Sequence, residues 1–175
     1  MSKDLTIGEA LRQRGISRRG FLKFCAATAS MMALPPGMAP VIAEALEKAR
    51  RPSVIWLSFQ ECTGCTESQT RSHSPTVEGL IFDTISLDYH HTLQAASGDA
   101  AEAAREAAME EHYGNYILVV DGSIPTGNPG YSTIAGISNR DMLMETAAGA
   151  AAIVSVGSCA AFGGIPHANP NPTGA

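Results

Sequence analysis

Apolar strand-like runs alternate with helix-like stretches after Arg51, which predicts an α/β domain built on a doubly wound, mostly parallel sheet. Three observations carry this expectation. The run Ser53-Val-Ile-Trp-Leu-Ser-Phe59 is apolar almost throughout rather than alternating, as in a strand covered on both faces. Similar runs recur at Tyr116–Val120 and Ala152–Val156, with stretches between them long enough for crossover helices. Each of the three runs hands over to a loop that contains glycine. In such a sheet all strand carboxyl ends lie along one edge, and ligands bind there.

At 175 residues the chain is long enough for one compact domain with its own core, and 45% hydrophobic against 17% charged residues argues against disorder. The net charge of −5 is unevenly placed. Up to Ala43 six Lys or Arg face two acids, a local charge of +4, whereas six basic and fifteen acidic residues from Glu44 onward give −9. An acidic main body repels phosphate backbones, so no nucleic-acid partner is expected. No apolar run of membrane-spanning length occurs after the first forty or so residues.

The N-terminal segment reads as an address. Polar and basic residues from Met1 to Arg19 lead into Ser17-Arg18-Arg19-Gly20-Phe21-Leu22-Lys23, then an Ala- and Met-rich apolar stretch from Phe24 to Leu34, then Pro35-Pro36-Gly37 and Val41-Ile42-Ala43. This order predicts a signal peptide over residues 1–43, read by the twin-arginine export machinery and cleaved near Ala43. The competing reading is a basic amphipathic helix kept on the mature protein. Export by this route carries proteins already folded, which suits a preinstalled metal cluster better than a disulfide. Cys25 would leave with the signal, and the three remaining cysteines, an odd number, argue against a closed disulfide framework.

The mature part, residues 44–175, is expected to form the sheet domain. After the first strand, Thr66–Ser74 should be helical and stop before Pro75, since a residue preceding proline avoids the helical region. Leu80–Leu87 reads as the second strand, and Asp99–His112 as an Ala-rich helix with Asp99 as its N-cap. Tyr116–Val120 is the third strand, with Asp121 capping the loop after it. Residues 126–136, with three glycines and Pro129, should be irregular. Ser138 or Asn139 should cap a helix over Arg140–Gly149, and Ala152–Val156 is the fourth strand, with Gly157–Gly164 as its exit loop. The arrangement is flavodoxin-like.

On this plan Glu61, Cys62, Cys65, Asp121 and Cys159 all follow strands and meet along the ligand-binding edge. Two thiols in Cys62-Thr63-Gly64-Cys65 can grip one metal centre, and Cys159 supplies a third. The Cys-x-x-Cys spacing by itself leaves four readings open: a redox dithiol, half of a zinc site, part of an iron-sulfur site, or a coincidental pair. His73, His90, His91, His112 and His167 show no ligand spacing and read as surface or loop residues, and Glu67 reads as structural.

The strings Arg-Pro-Ser-Val-Ile-Trp-Leu, Glu-Cys-Thr-Gly-Cys-Thr-Glu-Ser, Val-Val-Asp-Gly-Ser-Ile-Pro, Val-Gly-Ser-Cys-Ala-Ala-Phe-Gly-Gly and Asn-Pro-Thr-Gly-Ala together closely resemble the small subunit of nickel-iron uptake hydrogenases. The resemblance takes in the twin-arginine signal and the chain from about Arg51 to Ala175. It implies a heterodimer in which hydrogen is oxidised at a nickel-iron centre in the large subunit and electrons leave through a proximal 4Fe-4S cluster in the small one. Cys62, Cys65 and Cys159 match three ligands of that cluster. The fourth family ligand, and the portion holding two further clusters, lie beyond Ala175, so the chain reads as part of a longer protein. Glu61 matches a family glutamate linked to proton movement. The resemblance also implies a periplasmic location at the inner membrane, with a cytochrome b or another electron acceptor. Oxygen-tolerant relatives carry extra cysteines where this chain has Gly64 and Gly164, so the oxygen-sensitive type is expected. The remaining readings are a cluster-bearing subunit of a related quinone-reducing complex, a structural zinc-binding module, and a thioredoxin-like dithiol enzyme.

Overall fold

The computed structural model describes residues 6–13, 15–31, 33–35 and 37–175. The first residues of the expected basic leader, with Arg14, Met32 and Pro36, lie outside the described residues. The chain divides into two compact units, one formed by the N-terminal segment to Arg51 with Phe82–Thr84, the other by Pro52–Ile81 and Ile85–Ala175.

The first unit contains three helices, α1 (Ile7–Gln13), α2 (Arg18–Met31) and α3 (Met38–Lys48). Phe21 and Cys25 of α2 bury against Ala43 of α3, with Ile42 and Leu46 packed around them. The Ile7 amide donates to the Ala49 carbonyl at 3.0 Å, tying the start of α1 to the end of α3. Ala43, near which cleavage is expected, lies inside α3 and is buried. No helix among the described residues is long and apolar enough to cross a membrane.

The second unit is the α/β domain. Its elements are β1 (Ser53–Ser58), α4 (Gly64–Thr70), a single turn α5 (Val77–Gly79), β2 (Ser86–His90), α6 (Asp99–Glu111), β3 (Tyr116–Asp121), a two-residue hairpin β4 (Thr133–Ile134) and β5 (Ile137–Ser138), α7 (Asn139–Ala147), β6 (Ala150–Val156), α8 (Gly157–Phe162) and α9 (Gly164–His167). Four strands form one sheet in the order β2-β1-β3-β6, every neighbouring pair parallel. The predicted class is therefore the observed one.

Successive β1 residues point to opposite faces, and both faces are covered. Ile55 and Leu57 join Leu118, Val120, Tyr116, Ala101, Ala108 and Met142 in the larger core, while Val54 and Trp56 join Val119 in the smaller one. Arg105 of α6 is wholly buried and ties its helix to α7: its Nε lies 3.0 Å from Glu102 Oε2, and its Nη1 lies 3.1 Å from Glu145 Oε2 and 3.2 Å from Thr146 Oγ1. Tyr89 of β2 donates to the other Glu102 oxygen at 2.6 Å. A buried guanidinium is tolerated here because its donors meet carboxylate and hydroxyl partners.

Several local expectations need correction. Leu80–Thr84 is a π-helical turn, and the second strand begins at Ser86. A short apolar run fits helix and strand equally, and here the Thr76 hydroxyl, accepting from the Gly79 amide at 3.2 Å, starts a helical turn instead. The helix after the first strand covers Gly64–Thr70 and ends short of Ser74. Gly98 rather than Asp99 occupies the N-cap of α6, leaving Asp99 as a favourable charge in the first turn. The stretch after Val156 is helical, not an open loop. Ser138 caps α7 as expected, accepting from the Asp141 amide at 3.1 Å.

β6 is the sheet edge, and its residues Ala151–Ser155 are exposed, Ile153 by 55% and Val154 by 45%. An uncovered apolar edge strand offers unpaired backbone groups to another chain. Ile153→Lys should therefore raise the monomeric fraction of the 175-residue chain in light scattering, whereas an unchanged association would place the sticky surface elsewhere.

Candidate metal centre

β1 does not end freely. Beyond Ser58 the Phe59 amide donates to the Asp121 carbonyl at 2.7 Å, and Gln60 and Ser123 exchange amide-to-carbonyl bonds of 3.1 and 3.0 Å. These bonds lock the exit of β1 to the exit of β3. The approach is close enough that a Cβ on Gly122 would lie 2.8 Å from the Gln60 carbonyl oxygen, and Gly122 has φ +88°, so only glycine fits. From this lock the chain turns through Glu61, Cys62 and Thr63, the last in the left-handed region at φ 63°, into α4, whose first turn carries Cys65.

The thiols come from two distant stretches. β6 pairs Val156 with Asp121, which brings the following turn beside the exit of β3. At that turn a Cβ on Gly157 would collide with Cys65 Sγ, and Gly157 has φ +80°. The Cys65 sulfur therefore rests against the backbone two residues before Cys159. Cys62 is exposed, Cys65 and Cys159 are half-buried, and no cysteine is disulfide-bonded. An open groove of about 480 Å³, lined by Leu143, Met144, Ile153 and Ala160 among others, reaches Cys159.

The site is acidic. Asp121 is fully buried, and burial pushes its pKa up, opposed by hydrogen bonds from the Cys65 thiol and the Gly122 amide. Glu61 has a raised pKa, chiefly from burial, opposed by the Thr63 hydroxyl that donates to its Oε1 at 3.1 Å and reinforced by the Asp121 charge; its Oε2 is buried without a partner. The Cys65 thiol is pushed up to about 11, first by burial, then by Asp121, and further by Cys62 and Cys159. Cys65 is thus coupled to a buried carboxyl group and to both neighbouring sulfurs.

Among the described residues no three His, Cys, Asp or Glu side chains close on a single metal ion. The sulfurs instead line an edge, as soft anionic donors for a larger iron-sulfur group would. The unpartnered Glu61 oxygen, the buried Asp121 carboxyl beside Cys65 and the Gly157 cradle fit a cationic iron core. A Cβ at Gly164 would come within 2.5 Å of Cys159 Sγ, so a side chain there would have to share the space of that sulfur.

The edge brings together Cys62, Cys65, Cys159, Glu61 and Asp121, all named from sequence. Asp121 is more than a loop cap. Glu67 is structural, as expected: it pairs with Arg71 at 2.6 Å in an exposed i,i+4 bridge. His73 and His167 are exposed, but His90 is only 1% exposed and His91 is half-buried, correcting the surface reading. Their positions at the end of β2 place them under the loop to α6, a tertiary fact without a sequence signal beyond their adjacency to a strand.

A parallel α/β sheet whose carboxyl edge carries three cysteines defines the class of the chain: an α/β domain with a thiol-bearing ligand edge. Residues 62–175 match the family model described as NADH ubiquinone oxidoreductase, 20 Kd subunit, and the chain belongs to that family. Among curated relatives, the chain is 49% identical over 166 residues to the Hydrogenase-2 small chain of Escherichia coli (strain K12), covering 94% of this chain and 45% of the relative. It is 49% identical over 168 residues to the periplasmic NiFe hydrogenase small subunit 1 of Nitratidesulfovibrio vulgaris, covering 95% and 53%. A crystal structure of a reduced, active Ni-Fe-Se hydrogenase from Desulfomicrobium baculatum superposes with a TM-score of 0.69 at 35% identity, over 71% of this chain and 48% of that one. The chain thus spans about half the length of the curated relatives it matches.

Because the Asp121 pKa is raised on folding, the folded chain binds its proton more tightly than the unfolded one, and stability is lost as pH rises above the ordinary carboxylate value near 4. In metal-free protein Asp121→Asn should therefore raise the melting temperature at pH 7, with the gain fading as pH falls through about 4. A gain that persists at low pH would show that packing, not charge, is responsible.

Proposed function

We propose that this chain is the electron-transfer portion of the small subunit of a nickel-iron hydrogenase, with residues 44–175 forming the cluster-bearing domain. Cys62, Cys65 and Cys159 would hold three corners of a proximal 4Fe-4S cluster, and the groove beside Cys159 leaves room for a fourth donor. The observation that carries this reading is the Cys65 sulfur seated on the Gly157 turn, which joins two thiol-bearing stretches nearly a hundred residues apart. When bound, such a cluster accepts and passes on one electron at a time. The chain's own contribution is to orient thiolates, limit water and offset charge. Burial of Cys65 keeps its thiol protonated, so cluster assembly must displace that proton.

Hydrogen would be oxidised at a nickel-iron centre in a large-subunit partner, and this subunit would perform no hydrogen chemistry. Further iron-sulfur clusters belong to the part of the family's chain downstream of Ala175. Glu61 would relay protons between the partner and solvent: burial raises its pKa, against the lowering effect of the Thr63 hydroxyl, which favours a carboxyl group that can both take up and release a proton. The twin arginines Arg18 and Arg19, followed by an apolar helix, support export of the folded chain by the twin-arginine machinery, removal of residues 1–43, and work at the periplasmic face of the inner membrane. The electron acceptor would be a membrane cytochrome b or a comparable carrier. Gly64 and Gly164 in place of cysteine support the oxygen-sensitive type.

The first test is anaerobic iron and sulfide analysis with electron paramagnetic resonance on the chain co-expressed with its candidate large subunit. About four irons and four sulfides per chain, with a reducible cubane signal lost in Cys65→Ser, are expected. Zinc alone would give the lead to a structural module. In the assembled complex Glu61→Gln should lower hydrogen-oxidation turnover by about a hundredfold with an unchanged cluster signal. Undiminished turnover would remove Glu61 from the proton path.

A further inference from the structure

Next to the thiol edge, the buried titratable group with no role so far is His90. It closes β2, pairs with Trp56 in the ladder, and its ring stacks on the Trp56 indole at 5.0 Å between centroids. Its Nδ1 accepts from the Thr92 amide at 3.1 Å and the Leu93 amide at 3.4 Å. Its own backbone is clasped by Gln94, whose amide donates to the His90 carbonyl at 3.1 Å and whose side chain accepts from the His90 amide at 3.3 Å. An imidazole that accepts at Nδ1 carries its proton on Nε2. Burial, reinforced by His91, holds the pKa down to about 4, so the ring is neutral at physiological pH.

The Nε2 hydrogen has one partner, the Thr66 hydroxyl, 3.4 Å away. Thr66 directly follows Cys65 and is the one buried residue of α4. That helix is seven residues long and has no side-chain cap at Thr63. Its exposed face carries the Glu67–Arg71 pair and the Ser68 and Thr70 hydroxyls, which donate to the Cys65 and Glu67 carbonyls, and none of these contacts reaches outside the helix and its cap. The rotation of α4 about its axis therefore depends on how Thr66 is seated. Around the contact lies a cavity of about 20 Å³ whose lining is mostly apolar, Trp56, Val77, Leu80, Ile85 and Leu87 among it, with Gln69 as the one polar side chain besides Thr66 and His90.

We propose that His90 is a positioning residue for Cys65: through the Thr66 hydroxyl it sets the rotation of α4 and thereby aims the Cys65 sulfur at the Gly157 turn. The importance of this aim rests on the reading of Cys65 as a cluster ligand, but the positioning itself does not. Because both strand ladder and Gln94 clasp fix His90, the direction of influence runs from the sheet to the helix.

The contact can be removed from either side. Thr66→Val keeps the shape and loses the acceptor, Thr66→Ser keeps the acceptor, and His90→Asn keeps an acceptor for the Thr92 and Leu93 amides but falls short of Thr66. In metal-free 175-residue chain, iodoacetamide labelling followed by mass spectrometry should show Cys65 reacting about fivefold faster relative to Cys159 in Thr66→Val, the scale of one lost hydrogen bond. Thr66→Ser should restore the original rate, and His90→Asn combined with Thr66→Val should add nothing to either alone. In the iron-loaded complex the same variants should shift the midpoint potential and alter the paramagnetic signal of the cluster, again with rescue by serine. Unchanged labelling in Thr66→Val, or additive effects of the two substitutions, would overturn the proposal and leave His90 a packing residue. Absence of iron from the unaltered chain would count against the cluster reading alone, since the labelling rates still decide the positioning.

Discussion

The structure depends on the backbone lock between the exits of β1 and β3. Phe59 and Gln60, just past the end of β1, bond to Asp121, the last residue of β3, and to Ser123 beyond it. Parallel strands would ordinarily splay here, because their ladder has run out. The lock instead carries the pairing one step further, across Gly122, and delivers Glu61 and Cys62 to the sheet edge at a fixed height. β6, paired in register with β3 up to Asp121 and Val156, delivers Gly157 and Cys159 to the same height.

That convergence has an electrostatic consequence. The edge gathers three thiols and two carboxyl groups, and burial raises the pKa of Cys65, Asp121 and Glu61 together. An arrangement that disfavours its own ionisation is poor as a folding device and apt as a receptor for a positively charged inorganic core. The contrast with Arg105 is instructive. There a buried cation is matched within the chain by Glu102 and Glu145, and the result is a structural joint. At the thiol edge burial instead favours the protonated, uncharged forms of Cys65, Asp121 and Glu61.

The two histidines at the end of β2 show how a sheet can act on a helix that it hardly touches. His91 accepts from the Ser58 amide at 2.9 Å and so extends the β1 ladder past the last residue of β2, while His90 turns the other way, toward α4. Adjacent residues of a strand face opposite sides, so one histidine steadies the strand and the other the helix.

The amino-acid sequence by itself determined the α/β class, the runs of β1, β3 and β6, the Cys62-x-x-Cys65 pair with Cys159 after a later strand, and the capping of α7 by Ser138, because each follows from local composition and spacing. Even the gathering of Glu61, Asp121 and the thiols was legible, since parallel topology sends all strand ends to one edge. Only the tertiary structure decided that Leu80–Thr84 turns instead of extending, that His90 is buried, and that Cys65 lies on Gly157. Those outcomes rest on contacts between residues far apart in the chain, where an apolar run or a histidine takes its role from whichever neighbours the sheet brings to it.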